Sequence, residues 1–476
     1  MTPGLSRRSL LKLGGGAALG VGLGAGRLPA WASARSPARA AQGLGPGALP
    51  NPRLPEGTPT TPQIEHIVVL MMENQSFDGV LGMLPTEVPA RRRVDGLPVD
   101  ARGRPTPVNR GPNGPVRSKL APTPCQEVGL PTQSWNASHL SFAGGRNSGF
   151  VRASGPFAMW YWDQETLPTT YSLASHFPVG DRFFCSVLAQ TYPNRRFLFT
   201  GTASGTIATN AVTFSTPAAN GTIWDRFDRY GIAWKDYYVD APSPLIVPGT
   251  ADSPDRLARF ASTSDFLSDA KAGTLPAFSL VEPQYGYESE EDPQDIQVGE
   301  RFVARIARAV MESPNWERTV LFITYDEHGG YYDHVPPPAA VLPDDTPPML
   351  GPNDLPGAYN RYGFRVPLLV ISPWAKRGYV SSVVQDHTSI LRFVQRKWNL
   401  GAMTRRDANA RDMTDYFDFR RAAFREPPKI ASAPALAPGL ERCHDAGLNP
   451  PLPGKTSGAG DLVGLRARAR AAGLRV

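Results

Sequence analysis

"GERFVARIARAVMESPNWERTVLFITYDE", Gly299 to Glu327, is the stretch that decides the fold class. Phe302, Val303, Ile306, Ala307 and Val310 recur at helical spacing, with Arg301, Arg305 and Arg308 between them. That pattern is the apolar stripe of a helix lying on a core. The helix so read runs from Gly299 to Glu312, just ahead of Pro314. From Thr319 to Tyr325 the chain is an unbroken run of apolar, β-branched and aromatic residues, as a strand covered on both faces requires. The run ends on two adjacent carboxylates, Asp326 and Glu327.

The same alternation extends in both directions. Ile64 to Met72 is a second continuous apolar run and reads as a buried strand; it ends on Glu73-Asn74, with Ser76 or Asp78 placed to cap a following helix. Residues 169–205 read as helix, short strand and a tight loop at Tyr192-Pro193-Asn194 that opens another helix. Residues 222–239 read as helix then strand, "RVPLLVISPWA" as a further buried strand, and 386–399 as a helix capped by Asp386. Alternating strands and helices predict an α/β fold with a mainly parallel sheet and helices on both faces.

The flanks differ in composition. Arg7 and Arg8 precede a Gly/Ala-rich apolar stretch, and Ala32-Ser33-Ala34 follows it. This pattern predicts a twin-arginine signal over residues 1–34, with the export machinery as a partner and a periplasmic or extracellular destination. Residues 35–62, rich in Pro, Ala and Gly, read as a flexible lead-in. Residues 63–425 read as the catalytic domain, and 426–476 as a Pro/Ala-rich extension over the surface. Residues 85–125 read as a surface excursion. The net charge of +7 includes Arg7, Arg8, Lys12 and Arg27 and no acids within residues 1–34, so the exported part carries +3. That is too weak a bias for nucleic acid. Three cysteines, Cys125, Cys185 and Cys443, form no C-x-x-C pair and leave room for one disulfide.

In parallel α/β sheets, ligands bind beyond the carboxyl ends of the strands. Two strands here end in acids. Glu73, Asn74, Asp326 and Glu327 supply the oxygen donors that a hard divalent cation takes. Gly329 and Gly330 permit close backbone approach beside them. Taken alone, "ITYDEHGGYYDHVPPP" (323–338) allows a metal site, an acid/base pair or a polar loop. Thr191, just before a helix start, is a candidate oxygen nucleophile or an ordinary capping residue.

"ENQSFDGVLG", "QTYPNRRFLFTGT", the Gly299–Pro338 block and "DHTSILRF" together resemble the bacterial phosphoesterase family of phospholipases C and acid phosphatases, from about Glu65 to about Asn399. The resemblance implies a three-layer α/β/α sandwich of alkaline phosphatase-like type. It implies a divalent metal held by Glu73, Asn74, Thr191, Asp326 and Glu327, with Thr191 as nucleophile. It assigns His139, in "QSWNASHLSFAGG", to phosphate contact or proton donation, and Asn194 and Arg195 to substrate binding. The substrate class is a phospholipid or small phosphoester, with transient contact to a membrane surface.

The family commonly carries His-Pro where this sequence has Asp292-Pro293. A carboxylate there is unfavourable beside an anionic substrate unless it turns away or meets a metal. His334 is then the leading replacement histidine. The acidic run Glu288, Glu290, Glu291 and Asp292, with Tyr285, Tyr287, Trp160, Tyr161 and Trp162, is a candidate receptor for a choline-like cation. The resulting expectation is an exported metal-dependent phosphoesterase of phospholipase C type acting through a phospho-threonine. The alternatives are a phosphomonoesterase and a silent binding protein that keeps the fold.

Overall fold

The computed structural model describes residues 43–126, 132–435 and 458–476. Among them, eight strands form the central sheet. In chain order these are β1 His66–Met72, β2 Val179–Gly180, β3 Trp234–Tyr238, β4 Phe260–Ser262, β5 Phe278–Val281, β6 Thr319–Tyr325, β7 Leu368–Ile371 and β8 Val380–Ser381. The order across the sheet is β8-β2-β7-β6-β1-β5-β3-β4. Strand β1 pairs in parallel with β6, Met72 opposite Tyr325, and with β5, Leu70 opposite Val281. Strands β3 and β4 continue the parallel set, while β7 runs antiparallel to β6. The parallel register brings the carboxyl ends of β1, β5 and β6 to one rim.

The helices that matter here are α1 Trp135–Phe142, α2 Pro168–His176, α3 Thr191–Thr200, α4 Thr263–Ala272, α5 Ile296–Met311, α6 His387–Trp398 and α7 Gly458–Ala471. Helix α5 buries Phe302, Val303, Ile306, Ala307 and Val310 and leaves Arg301 and Arg305 in solvent, so its stripe faces the core as the spacing predicts. It packs on α2, α4, β1 and β6, while α6 packs on α3. All seven residues of β6 are buried, which requires cover on both faces and makes the layers α/β/α.

Three expectations change. Helix α3 begins at Thr191, so Tyr192-Pro193-Asn194 is its first turn and not a loop before it. Proline is tolerated there because the first N–H groups of a helix have no intrahelical acceptor. Residues 43–62 are not a loose lead-in. Gly47 N donates to Ala402 O (2.7 Å), Asn51 N to Asn399 Oδ1 (2.9 Å) and Thr60 N to Lys397 O (2.8 Å), which ties the segment to the end of α6. The last residues include α7, where Leu465 and Ala469 are buried and Arg466 pairs with Asp240 at 2.8 Å.

Residues 1–42, which contain the twin-arginine pattern, lie outside the described residues. Cys125 is disulfide-bonded and Cys185 is a buried free thiol. Cys443 lies outside the described residues. No described helix is long and apolar enough to cross a membrane.

Candidate active site

The rim formed by β1, β5 and β6 concentrates acid. Glu73 and Asn74 follow β1, Asp326 and Glu327 follow β6, and Glu282 follows β5; all five are buried. The ladder continues past the strands: Asp326 N donates to Met72 O (3.1 Å). Asp326 Oδ1 accepts from Asn74 N (3.2 Å) and Glu327 N (2.7 Å). Asn74 has φ of +62°, a left-handed conformation that asparagine adopts more readily than most residues. Gly329 and Gly330, at φ +62° and +84°, allow the close approach expected of them. A β-carbon on Gly329 would stand 2.0 Å from the carbonyl oxygen of Asn74.

Helix α3 meets this rim through Arg195. Its guanidinium is fully buried and donates from Nε to Asp326 Oδ2 (3.1 Å) and from Nη1 to Glu282 Oε2 (3.0 Å) and the Tyr285 hydroxyl (3.1 Å). Nη2 stands 3.5 Å from Glu73 Oε1. Burial alone would lower the Arg195 pKa, but Tyr285, Asp326, Glu73 and Glu282 outweigh it and hold the group charged. Arg195 therefore binds the acidic rim. Asn194 is also internal. It donates to the carbonyls of Val187, Ala189 and Gln190 and accepts from Val187 N, clamping the loop before α3. Thr191 is the first residue of α3 and 8% exposed. It lies four residues before Arg195, which puts the two on one helical face.

The donor set fits a hard divalent cation. Both side-chain amide atoms of Asn74 are buried and without a hydrogen-bond partner, as is Glu327 Oε1; orphaned buried polar atoms are costly and mark a missing partner. Burial, with Asp326 alongside, pushes the Glu327 carboxyl well above the usual carboxylate range. Around one guanidinium the rim gathers Glu73, Glu282, Asp326 and Glu327, an excess of negative charge that a cation would balance.

The histidines separate into distinct roles. His139 lies in α1, its Nδ1 2.8 Å from Trp135 O and its ring centre 4.2 Å from that of Trp135, tilted by 34°. Gly357 packs so tightly on it that a β-carbon there would approach Nε2 to 2.5 Å. Burial lowers the His139 pKa, and among the described residues its hydrogen bond goes to Trp135 O and not to the rim. His328 is buried against Phe150 and Phe364, and burial lowers its pKa to about 3. His387 holds Tyr325 O through Nε2 (2.9 Å) and packs at the start of α6.

His334 sits in a charged cluster of its own. Its Nδ1 contacts Asp78 Oδ2 at 2.8 Å and its Nε2 contacts Asp95 Oδ1 at 3.3 Å. Arg365 threads the same cluster, bonding Asp333 through Nε (2.9 Å) and Asp78 through Nη2 (2.9 Å). Asp78, Asp333 and His334 present ligand-type atoms within 4.8 Å of one another, but Arg365 already supplies the positive charge. Burial pulls the His334 pKa down, yet Asp78 and Asp95 outweigh it and push the value up to about 10. A raised histidine pKa stabilises the fold fully below the unfolded value near 6.5 and loses that contribution as pH climbs through about 10. The gap in Tm between wild type and His334→Gln is therefore expected to shrink steadily from pH 6 to pH 10.5; a constant gap would refute the charged pairing.

Asp292 is buried, on a loop whose Ser289 O accepts from Glu73 N (3.0 Å). Its charge contributes to the raised Glu327 pKa, so it stands near the acidic centre. The cation receptor built on its neighbours does not form. Trp160, Trp162 and Tyr285 are buried, Glu290 accepts from the Tyr325 hydroxyl, and Glu288 pairs with Arg305.

The sequence reading misses Glu282 and Arg365, and assigns Tyr285 to a cation receptor and not to Arg195. Glu282 carries a usable signal: "AFSLVE" (277–282) is a third short apolar run ending in an acid.

The phosphoesterase family profile matches residues 64–401, well over half of the sequence. The chain belongs to the phosphoesterase family. That membership makes it a hydrolase acting on phosphoric ester bonds. It is 31% identical to the non-specific phospholipase C1 of Arabidopsis thaliana over 77% of this chain and 73% of that protein. It is 29% identical to phospholipase C A of Mycobacterium tuberculosis, over 80% and 82%. Against the non-hemolytic phospholipase C of Pseudomonas aeruginosa it is 28% identical over 78% of its own length, and spans 60% of that relative. A solved protein of the alkaline phosphatase superfamily from Vibrio parahaemolyticus aligns over 70% of this chain and 78% of its own at 12% identity and a TM-score of 0.34, too distant to argue from.

Proposed function

We propose that this phosphoesterase is an exported, metal-dependent enzyme of the phospholipase C type, cleaving phosphodiester head groups through a phospho-threonine intermediate. The observation that carries the reading is the meeting of three acid-ended strands on Arg195 of α3, one helical turn after Thr191. Phospholipase C relatives at about this level of identity support the diester preference.

Glu73, Asn74, Thr191, Asp326 and Glu327 would hold a divalent cation, which when bound supplies Lewis acidity toward the phosphoryl oxygens and lowers the pKa of a hydroxyl. Thr191 Oγ attacks phosphorus opposite the leaving alkoxide. The Thr191 hydroxyl gives up its proton to solvent, the Oγ–P bond forms as the P–O bond to the diacylglycerol side breaks, and the departing alkoxide takes up a proton from solvent. Water then cleaves the phospho-threonine, releasing the phosphorylated head group and restoring the hydroxyl. The first-turn N–H groups of α3 favour the negative charge of the bound ester. Asn194 and Arg195 support this chemistry by holding the loop and the acids in place.

The test compares p-nitrophenylphosphorylcholine with p-nitrophenyl phosphate as substrates of the purified protein, with and without EDTA. The diester is expected to be the better substrate, and chelation to abolish turnover until a divalent metal is restored. Preference for the monoester would overturn the phospholipase C reading, and indifference to the chelator would overturn the metal. Export is tested separately, by following cleavage and relocation of a chain carrying Arg7→Lys and Arg8→Lys.

A further inference from the structure

Arg195 links α3 to all three acid-ended strands: to Glu73 after β1, Glu282 after β5 and Asp326 after β6. Glu282 is the one of the three that is not a proposed cation ligand. One oxygen accepts from Ser243 N (2.8 Å) and the other from Arg195 Nη1 (3.0 Å). The Tyr285 hydroxyl donates to that second oxygen while accepting from Arg195 Nη1 (3.1 Å), and the guanidinium lies 5.2 Å from the centre of the Tyr285 ring. The guanidinium plane is thus fixed by groups other than the proposed ligands. A planar fork held on one edge presents its remaining donors in a fixed direction. Here Nε donates to Asp326 Oδ2 (3.1 Å) and Nη2 forms an ion pair with Glu73 Oε1 at 3.5 Å, and both acids are proposed cation ligands.

We infer that Glu282 and Tyr285 are positioning residues: they anchor Arg195 so that Asp326 and Glu73 present their oxygens to the cation in one arrangement beside Thr191. The inference rests on the metal-dependent reading above and goes beyond it, because neither residue is a ligand in that reading. The charge of Glu282 also matters. Without it, Arg195 keeps its full positive charge next to the cation with one counter-ion fewer. Outer-sphere partners of this kind typically change metal affinity by about 10–100-fold when removed.

The experiment titrates Mn2+ into metal-stripped full-length protein and follows free Mn2+ by electron paramagnetic resonance. Glu282→Gln keeps the shape and an acceptor oxygen but removes the charge. Its Mn2+ affinity is expected to fall by roughly 10–100-fold. The kcat at saturating metal is expected to drop while KM for the soluble diester stays within about threefold, since neither residue touches substrate. Tyr285→Phe, which keeps the ring and loses only the hydroxyl, is expected to weaken Mn2+ by roughly tenfold or less and serves if the first variant fails to fold. Unchanged Mn2+ affinity in a folded variant would overturn the positioning role and leave the metal reading standing. Failure of the wild type to take up Mn2+ would overturn both.

Discussion

Thr191→Ala is expected to lower kcat by on the order of 10⁴-fold or more, the scale on which removal of a covalent nucleophile acts, while leaving the fold intact. The structural cost is small. Thr191 is the first residue of the ten-residue helix α3, and alanine is the better helix former there. The side chain loses an oxygen and a methyl group at a position 8% exposed, so the packing defect is a fraction of that of a large core truncation. What disappears is the proposed nucleophilic hydroxyl, on the helical face that Thr191 shares with Arg195. The measurement is single-turnover hydrolysis of the soluble diester, with circular dichroism as the folding control. Acid-quenched wild type is expected to carry phosphorylcholine on the peptide containing Thr191, and Thr191→Ser to retain part of the activity and the label. Activity of Thr191→Ala within tenfold of wild type would remove Thr191 from the chemistry.

The sequence makes the acid-ended strands legible because their signal is local. A run of buried residues that stops at a carboxylate needs no tertiary information, and Glu73, Asp326 and Glu327 all emerge at the rim. Glu282 has the same signature on a strand of four residues, too short to stand out. The roles of Asn194 and Arg195 could not be read, because a motif fixes which residues lie side by side but not which way successive side chains turn. On a helix, neighbours point about 100° apart. Asn194 turns back to its own loop, Arg195 turns to the acids, and Thr191 shares the face of Arg195. His334 hides its partners for a related reason. Its sequence neighbours, Asp333 and three prolines, suggest a site, but its charge partners Asp78 and Asp95 lie 256 and 239 residues away. The packed segment 43–62 shows the limit of composition: Pro and Gly make its path irregular, yet hydrogen bonds to residues 397–402 hold it in place.

Arg365→Met is expected to destabilise the protein by about 3–5 kcal/mol, the range seen when one partner of a buried ion pair is removed. Arg365 is fully buried, with Nε on Asp333, Nη2 on Asp78, and Nη1 on the carbonyls of Asp95 (2.7 Å) and Asp181 (3.0 Å). Its guanidinium also sits 4.4 Å from the centre of the Phe77 ring. Methionine fills much of the volume but leaves Asp78 and Asp333 buried together, with His334 as their nearest remaining cation. Arg365→Lys is expected to be nearly as harmful, since a single ammonium cannot bond two carboxylates and two carbonyls in one plane. The pH dependence gives the mechanism its own test. Burial already raises the Asp333 pKa to about 6 in the presence of Arg365, and loss of the guanidinium raises it further. A carboxyl whose folded pKa is raised penalises the fold when ionised and stops doing so once protonated. The stability deficit of Arg365→Met is therefore expected to be largest near pH 8 and to narrow toward pH 5, read from urea unfolding midpoints at both values. Adding Asp333→Asn to Arg365→Met is expected to recover part of the loss at pH 8, because it removes the stranded charge and keeps a polar group for the backbone N–H of Val335, which donates to Asp333 Oδ1 in the wild type (2.9 Å). A deficit that is the same at both pH values, with no recovery in the double variant, would mean that lost packing and not a stranded carboxylate sets the cost.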